Sequence, residues 1–237
     1  MPYSRVLITG NSSGLGLALT EQLLADGSEV FGLSRRGCPT ESDKLHDIRC
    51  DLADRHAINP ALDKLLDGVE SLDLAVLNAG ILGKIQALHE TPVETIDEIM
   101  QINVWANKSL IDWLISRDLH CRQIVLISSG AAVNGNAGWG GYSLSKATLN
   151  MMTQLYAHEL PQTHISALAP GLVDTAMQDY LCGEADSEAF PSLQRLRAAR
   201  GTENMPDASG AAALLLSRFP DLLQVPSGSF RDVRSWS

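Results

Sequence analysis

Short apolar runs alternate along the chain with longer stretches in which apolar residues recur at helical spacing. The apolar runs lie at 5–9, 28–33, 73–78, 123–128 and 164–169. Runs of this kind are typical of strands that are covered on both faces of a sheet. The helical stretches lie at about 15–26, 54–67, 92–118, 141–160 and 207–218. This alternation predicts an α/β fold with a doubly wound parallel sheet and helices on both of its faces.

No internal repeat, charge block or linker divides the chain, so residues 1–237 are interpreted as a single domain. Within it, Thr91 as a cap, Pro92 in the first turn and Glu94 at capping-box spacing predict the start of the 92–118 helix. The segment of about 177–206 mixes acidic, apolar and basic residues. It is interpreted as a helical insertion near a pocket, although a solvated excursion explains the same composition equally well.

Composition and charge narrow the possible partners. Hydrophobic residues make up 45% of the 237 residues and charged residues 19%, which is ordinary for a globular protein. The formal net charge of −10 repels phosphate backbones and anionic lipids, so neither nucleic acid nor a membrane is an expected partner. The sequence contains no apolar stretch long enough to span a membrane, and its start does not resemble a signal peptide.

Four widely separated cysteines bear on the cellular compartment of the protein and its redox state. Cys38, Cys50, Cys121 and Cys182 form no CxxC pair, and we interpret them as reduced thiols of a cytoplasmic protein. The six histidines form no cluster at metal-ligand spacing, so no metal site is expected.

A glycine-rich turn joins the first strand to the first helix, in the sequence Thr9-Gly10-Asn11-Ser12-Ser13-Gly14-Leu15-Gly16. Unpaired backbone N–H groups at a helix start attract a phosphate, and glycines at 10, 14 and 16 let it approach closely. The spacing differs from GxGxxG, and by itself it is also compatible with an ordinary tight turn.

Two arginines follow the second strand, in Ser34-Arg35-Arg36. In a dinucleotide-binding fold an acidic residue here binds the ribose 2′-hydroxyl, whereas an arginine accommodates a 2′-phosphate. Arg35 and Arg36 therefore favour NADP over NAD, although arginines are also common at strand ends.

The candidate chemistry lies around a tyrosine and a lysine four residues apart. Tyr142 and Lys146 share one face of a predicted helix, and a nearby ammonium favours the phenolate of a tyrosine. We therefore expect Lys146 to lower the pKa of Tyr142, which would make it a general acid or base. Ser129, at the end of a buried strand, is placed to hydrogen-bond a reacting carbonyl oxygen. An exposed packing contact between Tyr142 and Lys146 is the alternative.

Asn103 and Asn107 fall on the inward face of the 92–118 helix. Because buried amides need partners, Asn103 either bonds neighbouring backbone or holds a water or backbone group beside the site. Its spacing does not decide between these roles.

Taken together, these motifs resemble the short-chain dehydrogenase/reductase family over nearly the whole chain. They occur in the family's order as Thr9-Gly10-xxx-Gly14-x-Gly16, Asp51-Leu52, Asn78-Ala79-Gly80, Asn103, Ser129, Tyr142-xxx-Lys146 and Pro170-Gly171-x-Val173-x-Thr175. The resemblance implies a Rossmann-like fold. The segment APGLVDTAMQ is also similar to that of sepiapterin reductases and bacterial benzil-reductase-like members.

The resemblance also implies roles. Tyr142 protonates a substrate carbonyl while hydride arrives from the nicotinamide, Lys146 lowers the Tyr142 pKa and holds the nicotinamide ribose, Ser129 orients the carbonyl, and Asn103 supports a water-linked proton relay. Tyr142 and Lys146 also count among the expected cofactor contacts. The others are Gly10, Ser12, Ser13, Gly14, Leu15, Gly16, Arg35, Arg36, Asp51, Leu52, Asn78, Ala79, Gly80, Pro170, Gly171, Val173 and Thr175.

The sequence therefore predicts an NADPH-dependent reductase of a small carbonyl compound that forms homodimers or homotetramers, as family members do through their two long helices. Trp139, Met177, Tyr180 and Leu181 suggest an apolar substrate pocket, although each is equally explained as a core residue. The alternatives are a non-catalytic nucleotide-sensing protein, and an epimerase or dehydratase of the same family.

Overall fold

A single parallel sheet of seven strands forms the centre of the molecule, in a computed structural model that describes residues 3–235. The strands are β1 (Arg5–Thr9), β2 (Glu29–Ser34), β3 (Leu45–Arg49), β4 (Ser71–Leu77), β5 (His120–Ile127), β6 (His164–Ala169) and β7 (Phe230–Asp232). The five predicted strands are confirmed, but β3 and β7 were not predicted. Both lie at the sheet edges and have mixed burial, so neither has a continuous apolar run.

The strand order is β3-β2-β1-β4-β5-β6-β7, with every neighbouring pair parallel. The chain thus builds outward from β1 in one direction and then from β4 in the other. Ligands of such sheets bind outside the carboxyl ends of the strands, where this order reverses. The loops that leave the strands from β1 to β6 meet at that edge.

The helices are α1 (Gly14–Ala25), α2 (Arg55–Leu65), α3 (Val93–Met100), α4 (Ala106–Ser116), α5 (Gly140–Glu159), α6 (Ala176–Asp179), α7 (Ser192–Ala199) and α8 (Ala208–Leu222). Apolar residues of α1 and α8 pack on one face of the sheet, and those of α2, α4 and α5 pack on the other. The predicted doubly wound, Rossmann-like architecture is therefore confirmed. The interpretation of 1–237 as one domain stays a prediction, and its residues 1, 2, 236 and 237 lie outside the described range.

The predicted 92–118 helix consists of three pieces. A π-helical turn, Gln101–Trp105, interrupts it between α3 and α4 and carries Asn103. The predicted cap at its start is wrong. The Thr91 hydroxyl donates instead to the carbonyl of Ala87 at 3.0 Å, and Pro92 takes the cap position without a side-chain bond. The helix begins at Val93 because a preceding 3₁₀ turn, Leu88–Glu90, already engages Thr91.

The insertion is helical, as predicted, and comprises α6, a π-helical turn at Tyr180–Glu184, and α7. Leu181 and Leu193 are 1% and 0% exposed and pack with Leu82 and Ile85, which follow β4. The alternative of a solvated excursion is therefore wrong. Among residues 3–235, no helix combines the length and apolar character needed to span a membrane.

Candidate active site

A cleft with a cavity volume of about 490 Å³ runs along the carboxyl edge of the sheet. The structure brings the predicted site residues together there, with the exception of Asn103. Its walls include Gly10, Ser12, Ser13, Gly14, Leu15, Gly16, Arg35, Arg36, Asp51, Leu52, Asn78, Ala79, Gly80, Ser129, Tyr142, Lys146, Pro170, Gly171, Val173 and Thr175. Segments that follow six different strands therefore form one continuous site.

The glycine-rich turn is locked against the loop after β4. Gly10 has a φ of +74°, and a Cβ at Gly16 would lie only 2.3 Å from the carbonyl oxygen of Gly10. The Thr9 hydroxyl accepts hydrogen bonds from the backbone of Asn78 and Ala79, at 3.0 and 3.1 Å. Only glycine is compatible with this packing, and the first turn of α1 remains open to a ligand at the cleft.

The end of the cleft next to β2 is exposed and polar. Arg36 donates to the hydroxyl of Ser13 at 2.7 Å and of Ser12 at 3.4 Å, which places its guanidinium over the glycine-rich turn. Arg35 is exposed at the same edge. Ser34, which sequence reasoning missed, also lines the cleft, and its buried Oγ has no hydrogen-bond partner among the described residues.

The tyrosine, lysine and serine converge at the opposite end. Helix α5 carries Tyr142 and Lys146. The loop that follows β5 carries Ser129, whose side chain hydrogen-bonds that of Tyr142. The Nζ atom of Lys146 lies 5.7 Å from the centre of the Tyr142 ring and donates to the carbonyl oxygen of Ile127 at 2.7 Å. Lys146 is 4% exposed, so the alternative of an exposed packing contact is wrong.

Burial dominates the electrostatics at this end. Desolvation raises the pKa of Tyr142, and the hydrogen bond with Ser129 opposes that rise. Desolvation also lowers the pKa of Lys146 to about 8. The ammonium of Lys146 faces the Tyr142 ring and bonds the Ile127 carbonyl, and a lowering of the Tyr142 pKa by Lys146 stays a prediction.

Asn103 lies behind the cleft wall and is fully buried. Its Oδ1 accepts from the backbone N–H of Ile81 at 2.8 Å, and its Nδ2 donates to the carbonyl of Ile81 and to the hydroxyl of Ser145, both at 2.9 Å. Asn107 in turn donates to the backbone carbonyl of Asn103 at 2.7 Å. Asn103 thus bonds the backbone of a residue that itself lines the cleft, which is compatible with both expected roles, and it fastens the loop after β4 to the helix that bears Tyr142.

The insertion forms the wall beyond Tyr142. Of the predicted apolar pocket residues, Trp139, Met177 and Leu181 line the cleft, whereas the Tyr180 hydroxyl accepts a hydrogen bond from the Ile85 backbone at 3.0 Å. Sequence reasoning missed further wall residues, namely Cys50, Ile81, Ile102, Ile127, Ser128, Leu172, Ala176, Gln178 and Leu196. No signal in the sequence distinguishes these residues from core positions. The described residues bring together no group of three or more potential metal ligands among His, Cys, Asp and Glu.

Comparison with known proteins gives a consistent result. The family model described as short chain dehydrogenase matches residues 4–184. The chain is 30% identical, over 89% of its length and 91% of the relative's, to a benzil reductase ((S)-benzoin forming) of Bacillus subtilis (strain 168). It is similar in fold to the short chain dehydrogenase/reductase YIR035C of Saccharomyces cerevisiae, with a TM-score of 0.83 and 23% identity over 98% of this chain and 96% of that one.

A further solved structure, ElxO with NADP bound, has a TM-score of 0.77 and 20% identity over 98% of this chain and 97% of that one. At this identity the likeness concerns the fold alone.

Proposed function

The chain belongs to the short-chain dehydrogenase family, and from that premise we propose that it is an NADPH-dependent reductase of small carbonyl compounds with Tyr142 as the general acid. The observation that carries the proposal is the meeting of Ser129, Tyr142 and Lys146 at one end of a cleft whose other end is a glycine-rich turn. Members of the family use NAD or NADP, so the finer assignments below are part of the proposal.

The residues of the cleft fit a dinucleotide. The glycine-rich turn leaves space that side chains would fill, and the N–H groups at the start of α1 suit a pyrophosphate. We assign the adenosine end to Arg35, Arg36, Asp51 and Leu52, and the nicotinamide end to Pro170, Gly171, Val173 and Thr175, which line the same cleft.

The preference for NADPH over NADH rests on Arg35 and Arg36. Both are exposed at the cleft edge after β2, and the chain has Ser34 where NAD-binding folds have an acidic residue. The two guanidinium groups offer charge-assisted hydrogen bonds to a 2′-phosphate.

Residues of the protein supply the proton and control its transfer to the substrate. The bound nicotinamide would provide the hydride for the carbonyl carbon. Tyr142 donates its hydroxyl proton to the carbonyl oxygen, and Ser129 donates a hydrogen bond that orients this oxygen. Burial raises the pKa of Tyr142, so the phenol is in the protonated form that a general acid needs. The ammonium of Lys146 holds the nicotinamide ribose. Asn103 supports a water-linked proton relay from behind the cleft wall, where it positions the loop after β4 against helix α5.

The substrate end favours an apolar ketone. Its wall carries Trp139, Leu172, Met177, Leu181 and Leu196, and the similar benzil reductase is named for a diaryl 1,2-diketone. A small aryl or alkyl ketone, diketone or aldehyde fits this composition.

Purified protein assayed with NADPH and NADH against ketones, diketones and aldehydes tests the proposal. We expect NADPH oxidation with at least one diketone, and a higher kcat/KM with NADPH than with NADH. NADPH binding without any turnover would favour the nucleotide-sensing alternative instead. Substrate conversion without net NADPH consumption would favour epimerisation or dehydration.

We also propose that the protein is a cytoplasmic homodimer or homotetramer that assembles through α4 and α5. Apolar side chains on the outer side of α5 are uncovered in the single chain, with Leu144, Met151 and Leu155 exposed by 47%, 54% and 56%. Light scattering is expected to give a dimer or tetramer. The double variant Met151→Glu, Leu155→Glu should have a smaller molar mass in solution than the wild type. The exposed control Val133→Glu should have the wild-type molar mass. A monomeric wild type would contradict the proposal.

A further inference from the structure

A carboxylate on the edge strand β3 joins two segments at the polar end of the cleft. The Oδ1 atom of Asp47 accepts a hydrogen bond from Nδ2 of Asn11 at 2.7 Å, and its Oδ2 accepts one from the backbone N–H of Cys38 at 3.0 Å. Asn11 belongs to the glycine-rich turn after β1, and Cys38 ends the arginine loop, residues 35–38, after β2. One side chain therefore ties the glycine-rich turn to the loop that bears the two arginines.

The bridge between Asn11 and Asp47 crosses β2 at Gly32. Strand β2 lies between β1 and β3 in the sheet, and Gly32 is the register partner of Asp47. A Cβ on Gly32 would overlap Nδ2 of Asn11 and lie 2.5 Å from Oδ1 of Asp47. Asn11 is fully buried, so the space left by the missing side chain of Gly32 is what lets this hydrogen bond form.

The second hydrogen bond holds the far end of the arginine loop. The loop turns at Gly37, which has a φ of +82°, and Oδ2 of Asp47 lies 3.2 Å from the position that a Cβ of Gly37 would take. Within the loop, Arg36 donates to the hydroxyl of Ser13 at 2.7 Å, in the same turn as Asn11. The glycine-rich turn and the arginine loop are thus connected twice, once through Arg36 and once through Asp47.

The distance between these two segments matters for the choice of cofactor. NADP differs from NAD by the ribose 2′-phosphate, which we have assigned to the arginine loop, whereas both cofactors carry the pyrophosphate assigned to the glycine-rich turn. An arginine binds at a lower entropic cost when the backbone that carries it is already fixed. A fixed distance between the loop and the turn therefore benefits NADP and not NAD.

We propose that Asp47 and Asn11 are positioning residues that set the distance between the glycine-rich turn and the arginine loop and thereby strengthen the preference for NADP over NAD. Neither side chain belongs to the cleft wall formed by the described residues, so both act through the segments that they hold. This inference rests on the proposed NADPH binding and adds the residues that position its arginines.

The charge of Asp47 makes the inference sharply testable. If Asp47 acted through its negative charge alone, removing it would reduce repulsion of the 2′-phosphate and favour NADP. The positioning role predicts the opposite. An asparagine at 47 has one acceptor oxygen, so it can accept from Asn11 or from Cys38 but not from both.

Fluorescence titrations with NADPH and NADH measure the Kd of each cofactor without turnover. We expect Asp47→Asn to lower the ratio of the Kd for NADH to the Kd for NADPH about three- to fivefold, because one hydrogen bond of the bridge is lost. The control Asp43→Asn removes an exposed carboxylate from the same connection between β2 and β3. It should leave the ratio at or slightly above the wild-type value.

Gly32→Ala breaks the bridge without changing any charge, since the added methyl group pushes Asn11 and Asp47 apart. The same ratio should again fall about three- to fivefold. The control Gly135→Ala adds a methyl group that meets no described atom within 4 Å and should leave the ratio unchanged. Melting curves without cofactor show which variants are folded, and because the two variants act by different means, one folded variant decides the question.

The outcomes separate this inference from the proposed function. An unchanged or raised ratio in either folded variant would overturn the inference, and so would an equal weakening of both cofactors. The wild type tests the proposed function. If it prefers NADPH but reduces no carbonyl compound, the proposed reduction fails and the variants still decide the role of Asp47. If it binds NADH at least as tightly as NADPH, the NADPH preference and this inference both fail.

Discussion

The two ends of the cleft are built in contrasting ways. The end near β2 is made of glycine-rich backbone and exposed arginines, of which Arg36 donates to the hydroxyls of Ser12 and Ser13. The end near α5 is made of the buried Lys146 and the half-buried Tyr142 and Ser129, and desolvation shifts the pKa of both Tyr142 and Lys146. Backbone amides and solvated charges can bind an anion without changing their own protonation. A proton donor has to be desolvated and positioned.

The contrast implies different consequences of mutation. Changes at the polar end should alter which cofactor binds and how tightly, because solvent screens its charges. Changes at the buried end should alter the chemical step and its pH dependence, because electrostatic effects are larger where water is excluded. The experiments below test whether cofactor binding and the chemical step can be altered independently by changes at the two ends.

The largest effect is expected for Tyr142→Phe, which removes the proposed acid and keeps the ring. Loss of a general acid typically lowers kcat by about 10²–10⁴-fold. Steady-state kinetics and an NADPH titration should show this loss with cofactor binding largely intact. Retained turnover would refute the assignment of Tyr142. Loss of NADPH binding in this variant would show that a change at the buried end also alters cofactor binding.

A smaller effect is expected when Arg35 and Arg36 are both replaced by Ala. The ratio of kcat/KM for NADPH over NADH should fall about ten- to hundredfold, since two partly solvated charged hydrogen bonds are lost. The exposed Arg231, which does not line the cleft, provides the control variant Arg231→Ala. A wild-type preference for NADH would contradict this prediction before any variant is made.

The pH dependence tests the buried end. Lys146 has a pKa of about 8 in the folded protein, below the ordinary 10.5. Its ammonium form therefore prevails below pH 8 and is lost above it, so kcat/KM for carbonyl reduction should fall about tenfold per pH unit above this value.

Protein stability should change in the opposite direction. Between about pH 8 and 10.5 the unfolded chain binds more protons at Lys146 than the folded chain does, so this group makes the free energy of unfolding rise with pH. The variant Lys146→Arg tests the activity prediction. Because arginine keeps its positive charge through this pH range, the remaining kcat/KM of the variant should no longer decline near pH 8. A wild-type profile that is flat from pH 7 to 10 would contradict the shifted pKa.

The smallest effect is expected at the insertion. Arg200, at the end of α7, forms ion pairs with Asp174, at 3.0 Å, and with Asp179. Because the pairs are partly exposed, Arg200→Ala should raise the substrate KM only about two- to threefold, by loosening the wall beside Tyr142. Arg117→Ala breaks a comparable ion pair with Asp63 away from the cleft and should leave KM unchanged. Equal KM values for the two variants would show that the insertion needs no such anchor.

Sequence spacing predicted the central strands, the main helices and the meeting of the glycine-rich turn with Ser129, Tyr142 and Lys146. These features depend on local periodicity and on the rule that parallel strands end at one edge. The edge strand β3 was missed because its residues are half-buried or exposed and form no continuous apolar run. The cap at Thr91 was wrong because an adjacent 3₁₀ turn competes for that residue, which no spacing rule reveals.

The sequence by itself determined the layered α/β fold and the chemical identity of the groups along the cleft. Only the tertiary structure decided their environment: that burial raises the pKa of Tyr142, that Asn103 bonds Ile81 behind the wall, and that the Oε1 atom of Gln178 has no hydrogen-bond partner among the described residues. The physical reason is that desolvation and hydrogen-bond satisfaction are summed over all neighbouring atoms. Most of these atoms come from segments far away in the chain.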